Sequence, residues 1–371
     1  MEKAKISARQ LFVLVVLFEM GSAILVGYPV KLKQDAWIAI LLGMAGGILL
    51  FLVYYRLFLF YPNLPLTSYV QFIMGKWIGR FIGFFYIIYF AYLAARVLRD
   101  FGELLTATVY TQTPLFFLMA LLILTIIYAL HKGFEVLARV GELYFGVVYF
   151  IAIGGFFLLI FSGLIHLENL RPILENGLMP IFKSVLTQNL TFPFGEMVVF
   201  TMVLPYLNKP EKVKKVCISG IILSGINFTI ACVINIATLG TGLFIRSPYP
   251  LLSTVSKIEL ANFIERLDVL FMLYLIIAGF IKVAVFTYAA IIGTTDLFQF
   301  QDHKKLTLPI GLFILLTAMM IAKNYAEHIE EGLRVVPIYV HWPFQIIIPL
   351  ILLGVAYFRN RHNQQEAVSI K

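Results

Sequence analysis

Apolar positions in this chain do not alternate as in half-buried strands, nor do they form narrow stripes. They run on for whole membrane thicknesses. Ten runs of roughly 17–25 residues, each long enough to cross a bilayer as a helix, stand out. They cover about 11–30, 36–60, 82–106, 115–130, 140–163, 184–206, 216–242, 267–293, 306–322 and 338–358. Turn-forming clusters separate them, among them Tyr61-Pro62-Asn63, Thr113-Pro114 and Asn208-Lys209-Pro210. The pattern predicts an all-α integral membrane protein with ten transmembrane helices in a single domain, 1–371.

Two runs are interrupted. The first contains FEMGSAILVGYP (18–29), with Glu19 followed by Gly21, Ser22 and Ala23. The sixth contains LTFPFGEMVVF (190–200), where Pro193 removes an amide, Gly195 loosens the helix and Glu196 follows Phe194 and Gly195. Spans one and six are an odd number apart, so the second set of five enters the membrane from the opposite side. This gives a 5+5 inverted repeat, the first half about 1–165 and the second about 184–358, with a tail at 359–371. Matching interrupted helices in inverted halves point to a solute site at mid-membrane, because lipid cannot satisfy peptide groups freed by a break whereas a guest can. Other positions follow the same symmetry. Gly43, Gly46 and Gly47 in span two answer Gly220, Ser224 and Gly225 in span seven, and small residues allow close helix packing. Arg96 in span three and Lys282 in span eight lie at similar depths in mirror image.

Charge within the membrane is costly, ~2.5–3.5 kcal/mol per group at the centre, so each such residue needs a partner or a wet cavity. In ARVLRDFGELL (95–105), Arg96, Arg99, Asp100 and Glu103 share one helix stripe. The spacing predicts Arg96 paired with Asp100 and Arg99 with Glu103. Lys282 has no acid within four residues; Glu19 or Glu196 is the expected partner, with Asp100 the fallback. Two readings of Lys282 stand side by side: a structural ion pair, or an ammonium standing in for a bound cation near span one. Of Glu19 and Glu196, one is expected to bind a ligand ammonium and the other to titrate or pair with Lys282. For Glu19 a cytoplasmic-facing gate residue is the alternative.

Composition agrees with a lipid-dwelling chain. Of 371 residues, 61% are hydrophobic and 13% charged, about half the charge of a soluble domain. The net charge of +9 is not a nucleic-acid footprint, because Lys and Arg sort by loop. With the N-terminus in the cytoplasm, 17 of the 29 basic residues lie on the cytoplasmic side, 9 outside and 3 within spans. That bias predicts both termini in the cytoplasm. The first span is read as uncleaved. Cys217 and Cys232, about 22 Å apart along one helix at ~1.5 Å per residue, cannot bridge. The six histidines fall in loops or near span ends without metal-ligand spacing. No phosphate loop, nucleophile elbow or catalytic pair is present, so neither an enzyme nor a cofactor or metal requirement is expected.

The sequence resembles the B subunits of bacterial spore germinant receptors, in the spore-germination permease family of the amino acid–polyamine–organocation superfamily. The resemblance rests on ISARQ (6–10), GKWIG (75–79), Arg99 and Glu103 before Thr113-Pro114, NLRPILENGLMPI (169–181), FGE (194–196) followed by Pro205, and FIER (263–266). It implies a LeuT-like fold in the spore inner membrane, partnered by a larger A subunit and a lipoprotein C subunit. It also implies a small nutrient ligand, often an amino acid, bound near Gly21, Ser22, Ala23, Phe194, Gly195 and Glu196. One departure is Gly21-Ser22-Ala23, where the superfamily often has Gly-x-Gly; Ala23 narrows the space for a ligand carboxylate. A stand-alone amino-acid or cation-coupled transporter is the alternative function, and a structural scaffold for a channel partner a third.

Overall fold

The computed structural model describes residues 5–258 and 267–369; the motif at 263–266 falls outside them. Described residues are helical almost throughout, with one isolated strand-like pairing, between Ile6 and Leu207. Among the described residues, eight helical stretches are long and apolar enough to cross a membrane, or nine if the bent pair Lys304–Met320 and Tyr325–Val335 counts as one span. The sixth expected span is absent from that count because it is nowhere a long regular helix.

Span one begins with a capping box. Ser7 Oγ accepts from the Gln10 amide (3.1 Å) and the Ser7 amide donates to Gln10 Oε1 (2.9 Å). Helix α1 (Ala8–Met20) stops at Gly21, whose backbone leaves the helical region (φ −39°, ψ −99°). A short α2 (Ala23–Val26) completes the crossing. Then come α3 (Ala36–Phe60), α4 (Leu66–Met74), α5 (Lys76–Thr108), α6 (Leu115–Lys132) and α7 (Phe134–Phe161). Helix α4 is held at both ends. Thr67 and Ser68 hydroxyls donate to Asp296 at 2.5 and 2.7 Å, and Arg359 donates to the carbonyls of Phe72 and Ile73 at 2.7 and 2.8 Å.

Span six is a chain of fragments. Helix α8 (Met179–Ser184) passes into a wide turn at Val185–Asn189, a non-helical stretch to Pro193, and then the tight 3-10 helices Phe194–Met202 and Leu204–Tyr206. The second half continues as α9 (Val213–Arg246), α10 (Pro250–Val255), α11 (Leu267–Phe298), α12 (Lys304–Met320), α13 (Tyr325–Glu330) and α14 (Ile348–Ser369). Between α13 and α14 the chain keeps turning through the wide-turn segments Glu331–Val335 and Pro337–Ile347. Helical structure thus begins at Tyr325, well before the expected start of span ten at 338.

The small-residue stripes pack where the symmetry places them. A Cβ on Gly43 would lie 2.9 Å from Asn189, one on Gly46 2.8 Å from Leu190, and one on Gly47 inside Phe194. All three belong to broken span six. Reciprocally, Gly220 of α9 packs on Val15 of α1. Each interrupted span therefore lies against a smooth helix of the other half. Helices α5 and α11 are mostly buried, whereas α7 turns Phe150 and Phe161 outward, as lipid contact requires.

The expected loop motif NLRPILENGLMPI is a brace. Asn169 Nδ2 donates to the Ala237 carbonyl (2.9 Å), next to the α9 kink at Gly240 (φ +70°). Gln34 donates to the Pro172 carbonyl (2.8 Å), and Asp35 accepts from the Leu174 amide (2.9 Å). These bonds tie the loop ahead of span six to the start of α3 and the far end of α9.

Candidate functional site

The two breaks come together against α11. A Cβ on Gly21 would lie 2.8 Å from Lys282 Cδ, 2.9 Å from its Cβ and 3.2 Å from the Ala278 carbonyl. Only a residue without a side chain lets the α1 break approach the lysine stem. Lys282 is fully buried, and its ammonium lies 2.5 Å from Glu196 Oε2. That is an ion pair by distance, with angles off those of a hydrogen bond. The rings of Phe18 and Phe192 each stand 5.0 Å from the ammonium, within cation–π range. Glu196 occupies the first turn of its 3-10 helix, where the exposed amides favour a carboxylate.

Glu19 is buried two residues before the break at Gly21, within electrostatic reach of both Lys282 and Glu196. Neither of its oxygens meets a hydrogen-bond donor among the described residues. Of the two expected partners for Lys282, Glu196 makes the contact.

On the other side of Glu196 is a small cavity of about 40 Å³ lined by Ser22, Val26, Arg96, Asp100, Phe192 and Glu196, with His341 and the 329–336 stretch completing the wall. Broken spans one and six, α5 and the chain after α12 all contribute. Ser22 Oγ is buried and makes no hydrogen bond among the described residues.

The α5 stripe departs from expectation in one pair. Arg99 does meet Glu103 (Nε to Oε1, 2.8 Å) and also donates to the Ala318 carbonyl (3.1 Å). Arg96 does not pair with Asp100. Its guanidinium donates to the His328 carbonyl and to Tyr92 Oη (3.3 Å), and lies 3.9 Å from Glu331. Asp100 instead takes His328 Nε2 at 2.8 Å. The physical reason is the sharp 106° bend after α12, which swings the Tyr325–Val335 stretch against α5 and offers its backbone and imidazole to the stripe. Gly332 permits this approach, since a Cβ there would overlap the Arg96 guanidinium.

Sequence reasoning missed several participants. His328 and His341, expected in loops or near span ends, are buried. His341 Nδ1 bonds Tyr89 Oη (2.8 Å), which also accepts from Gln345 Nε2 (2.8 Å). Tyr54 Oη, in α3, donates to the Gln345 carbonyl (2.6 Å) and lies 3.3 Å from the Gly195 carbonyl. A polar chain from α3 and α5 thus props the unwound part of span six. The available signal was Gln345 in an otherwise apolar run, since a buried amide needs partners. Phe194 packs against α3 and Gly195 against Gln345. Ala23 is fully buried in the first turn of α2.

Residues 5–326 match a protein family described as spore germination protein. The chain is 46% identical over 365 residues to Spore germination protein KB of Bacillus subtilis (strain 168), covering 98% of each. It is 24% identical over 368 residues to Spore germination protein YndE of the same strain, covering 96% of this chain and 98% of that one. Among solved structures it resembles MhsT in complex with L-phenylalanine, with a TM-score of 0.68, 13% identity, and coverage of 96% of this chain and 89% of that one. It also resembles Mhp1, a nucleobase-cation-symport-1 family transporter, in a closed conformation with bromovinylhydantoin bound. There the TM-score is 0.64 at 13% identity, covering 89% of this chain and 75% of that one. The architecture is therefore that of LeuT-fold proteins.

Proposed function

The chain belongs to the spore germination protein family, and from that premise we propose that it is the nutrient-sensing B subunit of a spore germinant receptor. It binds a small solute, an amino acid by our reading, between its two broken spans and passes the signal to an A subunit and a lipoprotein C subunit. It resides in the inner spore membrane with both termini in the cytoplasm, and it carries out no covalent chemistry.

The observation that carries this reading is the cavity between the breaks. It offers an acid, Glu196, and a guanidinium, Arg96, across one small volume, with the buried hydroxyl of Ser22 beside them. An ammonium directed to Glu196 and a carboxylate directed to Arg96 match an amino-acid zwitterion. The resemblance to MhsT, solved with L-phenylalanine, supports a solute of this class. At about 40 Å³ the cavity holds roughly three waters, so a ligand enters only if the walls move. That movement is the source of a signal, because a ligand that prefers the opened state shifts the population toward it.

Lys282 supplies a fixed positive charge between α11 and the break in span one. In this reading it takes the place of a bound metal cation, so ligand binding is sodium-independent.

Binding of L-amino acids, nucleosides and sugars to the purified protein in nanodiscs tests the proposal. Saturable binding of an amino acid, weakened at least tenfold by Glu196→Gln, is expected. Absence of binding across the panel overturns the sensor reading. The transporter resemblances favour a second reading, a self-sufficient transporter, and saturable uptake into proteoliposomes containing this chain alone would select it.

A further inference from the structure

Beyond the small cavity, on the face away from the Ile6–Leu207 pairing, the molecule opens into a vestibule of about 1030 Å³. Its walls come from the α2–α3 connection, α8, the far end of α9, and α13 with the turns after it. Four basic residues line it: Lys31, Lys183, Arg246 and Arg334. Glu330 is the acid among the lining residues, and it is paired with Arg334 at 3.1 Å. Among the described residues no carboxylate pairs with Lys31, Lys183 or Arg246. Among the described residues, the lining of the vestibule therefore carries an uncompensated charge of about three.

This placement runs against the topology of the chain. Basic residues are depleted outside, yet four of the nine expected there converge on one opening. Orientation gives no reason to keep them, so a local one is needed. The dimensions make the charges effective. A volume of 1030 Å³ is roughly 12 Å across if rounded, close to the ~8 Å Debye length at physiological salt. Low-dielectric walls concentrate the field further. The vestibule also leads somewhere: Val26, Ile329 and Leu333 line both it and the small cavity, forming an apolar partition between them.

We propose that this vestibule is an anion-collecting antechamber: it concentrates small solutes bearing a carboxylate or another anionic group ahead of the Val26–Ile329–Leu333 partition. This goes beyond the receptor reading and does not depend on it, because a transporter with the same site would use the same antechamber. An anionic lipid headgroup presents the same chemistry, and the test separates the two sources.

The test uses a reporter cysteine and no germinant. Thr187 lines the vestibule and is half-buried, whereas Cys217 and Cys232 are fully buried, so Thr187→Cys in the full chain gives a low-background reporter. Its modification rates by an anionic and a cationic methanethiosulfonate are compared in phosphatidylcholine nanodiscs. Each rate is normalised to that of free thiol. At about 0.02 M salt the anionic reagent is expected to be favoured about tenfold or more, and at about 0.5 M salt the preference collapses. Adding Lys31→Gln, Lys183→Gln and Arg246→Gln also abolishes it. The salt series on the single-reporter protein serves if that variant fails to fold. Equal normalised rates at low salt, or a preference unchanged by the three substitutions, overturn the proposal. In nanodiscs containing phosphatidylglycerol, the preference persists if soluble anions use the antechamber. If it collapses there, beyond any change at an exposed Ser256→Cys reporter, a headgroup fills the vestibule and the soluble-anion proposal fails.

Discussion

Lys282 and Glu196 form the contact on which the meeting of the breaks depends. Both are buried, with side-chain exposures of 0% and 2%. Removing one member of such a pair leaves an uncompensated charge, with a typical cost of about 3–5 kcal/mol. Lys282→Met is therefore expected to lower thermal stability sharply, the more so because Glu19 loses its nearest cation as well. Glu196→Gln added to Lys282→Met should recover much of that loss. A double variant no more stable than Lys282→Met alone would show that Glu196 is not the group left stranded. Should Lys282 act as a fixed cation, Lys282→Met must also weaken ligand binding, with added sodium or potassium restoring part of it. Undiminished binding over the full concentration range would reduce Lys282 to a structural partner. The sequence made this residue conspicuous, because a lysine in an apolar run has to be neutralised somewhere. It left open which carboxylate does so, since Glu19 and Glu196 stand at comparable depths and only the packing of the breaks chooses. His328 was hidden for a different reason. An imidazole outside the expected spans looks solvated until a bend after α12, set by tertiary packing, delivers it to Asp100.

At the scale of elements, the interruptions were legible and the continuations were not. Pro193 and the Gly-Ser pair at 21–22 break helices by local backbone chemistry, which acts wherever the chain is placed. The early start of the helical stretch at Tyr325, by contrast, is a matter of contact. Polar residues such as Glu327, Glu330 and Glu331 obscure it in an apolarity scan, and its wide turns at 331–347 have no simple periodic signature. The glycine stripe of α3 offers the sharpest element-scale test. Gly47 has no room for a Cβ because Phe194 fills it, whereas Gly154 of α7 faces open space. Gly47→Leu is expected to cost about 1–3 kcal/mol by overpacking and to weaken ligand binding by displacing span six. Gly154→Leu should be close to neutral in both. Equal melting temperatures and affinities for the two variants would mean that α3 does not set the position of the break.

As a whole the molecule is asymmetric between its two faces. One face has the open vestibule. The other is tied shut by the N-terminal segment: the Ile6 amide donates to the Tyr206 carbonyl (2.9 Å), the Asn208 amide donates to the Ile6 carbonyl (3.0 Å), and the Lys5 amide donates to Glu135 (2.7 Å). These bonds fasten the start of span one to the end of span six and to α7. They hold the terminal ends of the two broken spans together while their distal ends stand apart around the vestibule. If the spans pivot about the Lys282–Glu196 contact, loosening the strap should favour closing the vestibule. Ile6→Pro deletes the donor to Tyr206 and leaves the sites at both breaks untouched. Spin labels at Thr187 and Ala326, which both line the vestibule, are expected to move closer in that variant and to show a bimodal distance distribution if both states are populated. A distribution identical to that of the unsubstituted strap would mean that the two faces open independently, and that a ligand bound between them reaches any partner subunit by local rearrangement rather than by a pivot of the broken spans.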